Sequence, residues 1–182
     1  NSTVKLYNGS TLLGTSSSNA NGQFSITSST LSSGTYSLTA TATDAAGNIS
    51  FISNPLSINV DNNAPKAPEL SSPIAQVTND TSPTLTGNAE PNSTVKLYNG
   101  LTLLGTSSSN ANGQFSITSS TLSSGTYSLT AKAIDAAENI SSTSNPISVN
   151  VDATAPDRPT SLTTSELITK NTTPTITGNA EP

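Results

Sequence analysis

The stretch Asn92-Ser93-Thr94-Val95-Lys96-Leu97-Tyr98-Asn99-Gly100 alternates apolar and polar side chains and then ends in a turn signal. Because successive side chains of a strand point to opposite faces, Val95 and Leu97 share the inward face and Lys96 points outward. Asn-Gly after such a run is a strong hairpin signal, since both residues tolerate positive φ. The stretch therefore predicts two antiparallel strands that bury one face.

The same nine residues also stand at positions 1–9, at an offset of 91 residues. Residues 1–61 and 92–152 differ at only eight positions, and residues 173–182 echo residues 82–91 at the same offset. A fixed period indicates a tandem array, and a period of about 90 residues is one small domain rather than one turn of a solenoid. We therefore expect a window from a longer array, beginning and ending within a repeat.

The strands of one repeat can be read from the second copy, which follows a linker with two prolines at residues 61–68. Alternating apolar residues and intervening turn residues predict seven strands, near residues 69–77, 84–87, 94–98, 102–107, around Phe115 and Ile117, 127–133 and 147–151. Leu122 is expected to enter the core from a loop. Seven short strands with regular turn signals predict an all-β fold, an antiparallel β-sandwich of immunoglobulin or fibronectin-III type.

Three domain segments follow from this register. Residues 1–61 hold the last five strands of one repeat, residues 62–152 form a complete repeat, and residues 153–182 hold the first two strands of the next.

Disorder is the competing interpretation of a chain that is only 31% hydrophobic. Low charge and the in-register alternation of apolar residues argue against it.

Composition argues against several classes of function. Without histidine or cysteine the chain lacks the usual general base, the usual transition-metal ligands and any disulfide. Eleven acidic residues against six basic ones argue against nucleic acid as a partner. No segment is apolar and long enough to insert in a membrane, and no motif activates one of the many serines. The sequence therefore predicts a protein that is not an enzyme.

Several motifs carry a family resemblance, and together they cover essentially the whole chain. They are TLTGNAEPNSTVKLY at 84–98, NANGQFSI at 110–117, GTYSLTATATDAAGNIS at 34–50, and the closing VDNNAP at 60–65 and VDATAP at 151–156. In this order they resemble the bacterial immunoglobulin-like repeats of giant Gram-negative, type I-secreted or biofilm-associated surface adhesins. The resemblance implies an extracellular stalk at the bacterial surface, stiffened in several members by calcium at the domain junctions. One departure is Glu138, where the family and Gly47 have glycine, which could alter the loop.

Strand topology also predicts a calcium site, independently of the resemblance. Alternate loops of an antiparallel sandwich lie at the same pole, so Glu90 and Asp135 should meet the incoming linker at Asp61. Calcium takes six to eight oxygen ligands, and loop carbonyls with Asn62 or Asn139 would complete such a set. The corresponding residues are Asp152 and Glu181 at the next junction and Asp44 in the first repeat. The alternative is that these aspartates only form turns or end strands.

The sequence predicts a structural extender whose partners are neighbouring repeats of the same chain. Other regions of the full protein would contact a host-cell or biofilm surface. Three alternatives stay open: repeats that bind glycans or cell-surface ligands by avidity, a non-catalytic stalk of a secreted enzyme, and self-assembly by donor-strand pairing between chains.

Overall fold

The computed structural model describes residues 1–71, 77–164, 167 and 170–181, and every regular element in them is a β-strand. None of these described residues belongs to a helix long and apolar enough to cross a membrane. The first repeat contributes a four-stranded sheet in the order β2-β1-β3-β4, formed by β1 (Thr3–Asn8), β2 (Thr11–Ser17), β3 (Gly34–Thr43) and β4 (Leu56–Val60).

The complete repeat is a sandwich of two sheets, in the orders β10-β7-β5 and β6-β12-β11-β8-β9. Its strands are β5 (Glu69–Ser71), β6 (Val77–Thr78), β7 (Thr84–Asn88), β8 (Thr94–Asn99), β9 (Thr102–Ser108), β10 (Gln114–Thr118), β11 (Gly125–Ile134) and β12 (Ile147–Val151). All pairs are antiparallel except β6 with β12. The predicted all-β immunoglobulin-like or fibronectin-III-like fold is confirmed.

The first predicted strand, at residues 69–77, is divided between the two sheets. Its start pairs with β7, whereas its end pairs in parallel with β12 in the other sheet. The part of this strand at residues 72–76 lies outside the described residues. The two ends of the predicted strand thus obtain their hydrogen-bond partners from different sheets.

The core of the complete repeat is aliphatic around one phenylalanine ring. The inward positions predicted from period-2 alternation are buried, except that Tyr127 and Ile147 are half-buried against the core, and the loop residue Leu122 is buried as well. The central cluster contains Leu85, Val95, Leu97, Leu104, Phe115, Ile117, Leu122, Leu129, Ala131, Val149 and Val151. Strands that bury one face show a clean alternation of apolar and polar residues, which is why the sequence predicts these positions well.

The hairpin between β8 and β9 is confirmed, but its turn lies one residue later than the Asn-Gly signal indicates. Asn99 pairs with Thr102, so Gly100 and Leu101 are the central residues. Of Asn99, Gly100 and Leu101, only Gly100 has a positive φ, at 58°. Positive φ at the first central residue alone is the pattern of a type II′ turn.

One segment occurs twice with the same sequence and two different structures. Gln-Phe-Ser-Ile-Thr forms β10 at residues 114–118 but no strand at residues 23–27. The partner of β10 is β7, whereas residues 23–27 pair with no strand in the described part of the chain. Phe115 is therefore 5% exposed, whereas Phe24 is 52% exposed.

The last described strands are β13 (Thr160–Thr164) and β14 (Ile176–Asn179), which form an antiparallel pair. Thr160 pairs with Asn179 just as Glu69 pairs with Asn88 in the complete repeat. β13 and β14 therefore pair in the same way as β5 and β7.

Candidate functional site

The loop after β11 is organised by the carboxylate of Asp135. One carboxylate oxygen accepts hydrogen bonds from the Ala137 and Asn139 backbone N–H groups at 2.8 and 2.9 Å, and the other accepts from Asn139 Nδ2 at 2.8 Å. The side-chain bond from Asn139 is the main reason why the pKa of the Asp135 carboxyl lies below its ordinary value of 3.8. The group is therefore an anion at neutral pH, held in a fixed orientation.

The first repeat builds the same loop around Asp44. Its carboxylate accepts from the Ala46 and Asn48 backbone N–H groups at 2.9 and 2.8 Å and from Asn48 Nδ2 at 2.8 Å. These bonds, chiefly the one from the Asn48 side chain, likewise lower the pKa of the Asp44 carboxyl. The loop is thus a local structure of each repeat, as the turn-forming alternative predicts.

Glu138 adopts the left-handed conformation that glycine has at the equivalent position. Its φ is 68°, compared with 87° at Gly47. The hydrogen bonds to the loop aspartate are the same in both repeats, so the glutamate leaves the loop geometry intact. It does so at a conformational cost of about 1 kcal/mol, because a side chain in the left-handed region is strained.

Asn139 also joins the two repeats. Its Nδ2 donates a second hydrogen bond, at 3.0 Å, to the backbone carbonyl of Asp61 at the end of the first repeat. One amide group therefore bridges the Asp135 carboxylate and the Asp61 carbonyl. The Asp61 carboxylate itself accepts from the Asn63 N–H at 3.0 Å, which forms a turn at the start of the linker.

The linker is held on both sides of this turn. On the side of the first repeat, the Asn62 N–H donates to Ser33 Oγ at 3.0 Å, and the Ser33 hydroxyl donates to Asn62 Oδ1. On the side of the complete repeat, Pro65 and Pro68 are both buried. A buried proline has a fixed φ and no N–H to satisfy, so the linker is stiff as well as attached.

Glu90 lies in a neighbouring loop at the same pole. Its backbone carbonyl accepts hydrogen bonds from the buried serines Ser93 and Ser109. The loop is tied to the turn before β10 by a bond of 2.8 Å from the Ala89 N–H to the Gly113 carbonyl. Glu90 also lines a shallow depression with the linker residue Lys66. The linker thus lies beside the Glu90 loop through Lys66 and is bonded to the Asp135 loop through Asp61.

The acidic side chains do not form one cluster. Among residues 1–71, 77–164, 167 and 170–181, no three His, Cys, Asp or Glu side chains are grouped so that they could hold a metal ion. Asp61, Glu90 and Asp135 thus share a pole without a common three-carboxylate centre. The physical reason at Asp61 and Asp135 is that each carboxylate is engaged by the N–H groups of its own turn.

The next junction uses similar local bonds. The Asp152 carboxylate accepts from the Thr154 N–H at 3.1 Å, and the Ala153 N–H donates to Ser124 Oγ at 3.1 Å. The Glu181 carboxylate accepts from the Asp157 N–H at 3.1 Å. Ser124 thus contacts the linker as Ser33 does one repeat earlier. The sequence interpretation overlooked these serines, although their recurrence at an offset of 91 residues was a usable signal.

Comparison with known proteins gives a family and a fold. The model of the family described as bacterial Ig-like domain matches residues 1–62 and 71–153. The fibronectin(III)-like modules of Clostridium thermocellum CbhA are 18% identical, with a TM-score of 0.51 over 82% of this chain and 77% of theirs, which is a likeness of fold. No curated protein sequence matches the chain.

Two further solved structures are similar at lower TM-scores. The BSP domain of a biofilm associated protein is 29% identical with a TM-score of 0.40, over 85% of this chain and 25% of that one. The D00-D0 domain of Intimin is 17% identical with a TM-score of 0.32, over 82% of this chain and 78% of that one. The chain thus spans about a quarter of the length of the biofilm-associated chain.

Proposed function

The chain belongs to the family of bacterial Ig-like domains, and we propose that it is an extender segment of a bacterial surface adhesin. In this role it lies outside the cell and holds an adhesive region, located elsewhere in the protein, away from the surface. Its direct partners are neighbouring repeats of the same chain. The role is mechanical, and no residue is assigned to catalysis.

The observation that carries this proposal is the near-identity of the repeats. Only eight differences separate residues 1–61 from residues 92–152. Units that repeat so closely supply length or valency, and each folded sandwich has a fixed size. Domains in one chain move relative to each other unless their interface holds them, so the contacts at the junction decide whether the units form a stiff rod or a flexible chain.

Direct contacts supply the first part of this stiffness. The Asp61 carbonyl is held by Asn139 of the following repeat, and Asn62 is held by Ser33 of the preceding one. Bending at the junction must break one of these hydrogen bonds or expose the buried prolines of the linker. A hydrogen bond of this kind contributes about 0.5–1.5 kcal/mol, enough to disfavour bent states without preventing them.

In this proposal, calcium supplies the second part of the stiffness at the junctions. The donors would be Asp61, Glu90 and Asp135 at the described junction, Asp152 and Glu181 at the next, and Asp44 in the first repeat. All are oxygen donors, as calcium prefers, and sites in extracellular modules bind calcium at roughly 0.1–1 mM. The ionised, oriented Asp135 and the nearby Asp61 carbonyl support the proposal. Because the described residues contain no three-carboxylate cluster, calcium binding at this junction requires a local rearrangement of the turns.

Asn139→Ala is expected to loosen the junction, whereas Asn48→Ala is the matched control. Both remove the same bond within an aspartate loop, but only Asn139 also holds the preceding repeat. Losing about 0.5–1.5 kcal/mol should raise the bent population about two- to tenfold. The chain has no native cysteine, so spin labels at Thr15→Cys and Thr106→Cys, both exposed, report the distance distribution between the repeats.

The distribution of distances between the two spin labels should broaden for Asn139→Ala and stay unchanged for Asn48→Ala. Millimolar calcium should narrow it in the parent chain, and Asp61→Asn combined with Asp135→Asn should remove that effect. Equal broadening by the two asparagine variants would contradict the direct-contact part of the proposal. A distribution that calcium leaves unchanged would contradict only the calcium part.

A further inference from the structure

The eight differences between the repeats are not spread evenly over the structure. They are Ser10/Leu101, Thr41/Lys132, Thr43/Ile134, Gly47/Glu138, Phe51/Ser142, Ile52/Thr143, Leu56/Ile147 and Ile58/Val149. The last two exchange one aliphatic residue for another. The remaining six change polarity or charge, and these are the changes that alter what a surface can bind.

Three of the six meet in one cleft on the outer face of the complete repeat. The cleft has a volume of about 230 Å³, and its lining comprises Tyr98, Gly100, Leu101, Thr130, Lys132 and Thr143. Three of the six lining residues differ between the repeats, whereas only eight of the 61 compared positions differ overall. The cleft therefore distinguishes the complete repeat from the first one.

Lys132 of the cleft lining belongs to a pair of lysines that face each other across two strands. Lys132 lies directly opposite Lys96 in the pairing of β8 with β11, whereas Lys5 faces Thr41 in the first repeat. Within the described part of the chain, neither ammonium group forms a hydrogen bond or an ion pair. Like charges directly opposite each other in a sheet are destabilising, so an anion placed between them would relieve the repulsion.

An aromatic and an apolar residue form the rest of the cleft. The Tyr98 ring stands on the outer face because its neighbour Leu97 faces the core. Leu101 is fully exposed at the tip of the hairpin, where the first repeat has serine. Thr130 and Thr143 also line the cleft. The cleft thus offers cations, hydroxyl groups and a flat apolar surface to one ligand.

We propose that this cleft binds a carboxylated sugar residue, such as a uronic or sialic acid. The carboxylate would bind between Lys96 and Lys132, and the apolar face of the ring would pack on Tyr98 and Leu101. A volume below the roughly 300–1,000 Å³ of pockets for drug-sized ligands fits one sugar residue. This function goes beyond the proposed spacer role and is independent of it, because the cleft lies outside the junction contacts.

The test is a titration of the 182-residue chain with methyl glucuronide, followed by amide chemical shifts. Methyl glucoside, which lacks the carboxylate, is the neutral control probe. We expect shifts at the amides of Tyr98 and Lys132 and none at Tyr7 and Thr41, because the first repeat lacks the second lysine and the exposed leucine. Lys132→Thr restores the residue of the first repeat and should weaken binding about tenfold or more, since hydrogen bonds to charged groups are the stronger ones.

The Lys132→Thr variant is expected to fold, because threonine occupies the equivalent position of β3. Unchanged amide shifts elsewhere in β11 would verify that it does. Equal shifts in both repeats, equal binding of methyl glucoside, or binding unaffected by Lys132→Thr would each overturn the proposal. Binding of a glutamate dipeptide as tight as that of the glucuronide would overturn the assignment to a sugar. None of these results would bear on the spacer function.

Discussion

Phe115→Ala is expected to lower the free energy of unfolding of the complete repeat by about 3–5 kcal/mol. Phe115 is the one aromatic residue of the central cluster, and it is 5% exposed. Its ring packs against Gly87 in the facing strand of the same sheet. The surrounding side chains cannot refill that space without leaving their own contacts, so the cavity adds to the lost burial.

The same substitution at Phe24 is the matched control. Phe24 stands in an identical five-residue segment but is 52% exposed and lies in no strand. Its replacement by alanine should change stability by about 0.5 kcal/mol or less, as is usual at surfaces. Urea unfolding monitored by hydrogen exchange reports the stability of each repeat separately, because peptides from β11 and β3 differ in mass. Equal effects of the two substitutions would contradict the described difference in packing.

Gly87→Ala is expected to destabilise the complete repeat by about 3 kcal/mol, the upper end for overpacking. A Cβ atom at Gly87 would lie 2.6 Å from Cζ of Phe115 and would also collide with the backbone carbonyl of Glu69. The carbonyl belongs to β5, which pairs with β7 through Glu69–Asn88 and Leu70–Gly87. Relief of the contact therefore requires β5 to separate from the sheet or the phenylalanine ring to leave the core.

Thr86→Ala is the control for this prediction, because Thr86 is the preceding residue of β7 and is exposed. Its expected effect is within about 0.5 kcal/mol. Thermal unfolding monitored by circular dichroism measures the stability of both variants in the full chain. Gly87→Ala should also speed hydrogen exchange in β5 and β10, and a variant as stable as the parent chain would contradict the close packing at this position.

The inward faces of the sandwich were predictable because each strand buries one face and exposes the other. Val95, Leu97, Phe115 and Ile117 follow this alternation, and the structure buries all four. Strand formation itself was less predictable. The same five residues form a strand at 114–118 and none at 23–27, because strand preference depends on neighbouring strands rather than on the segment alone.

The candidate site was predictable in its location and not in its bonding. Loop topology placed Glu90 and Asp135 at the pole where the linker arrives, and the linker is found there. The sequence left open whether Asp61 and Asp135 would accept hydrogen bonds from their own turns, as both do. Such local side-chain bonds compete with longer contacts, and loop position alone does not decide the competition.

The most direct measurement of the spacer function is the length of the array as repeats are added. One, two and three further copies of residues 62–152 would be inserted after Asp152, and small-angle X-ray scattering would give the maximum dimension of each chain. The ten-residue strand β11 is the longest element of the repeat, so each copy should add a constant length of roughly 35–45 Å. A maximum dimension that rises only as the square root of the number of copies would describe a freely jointed chain and would contradict the stiff extender.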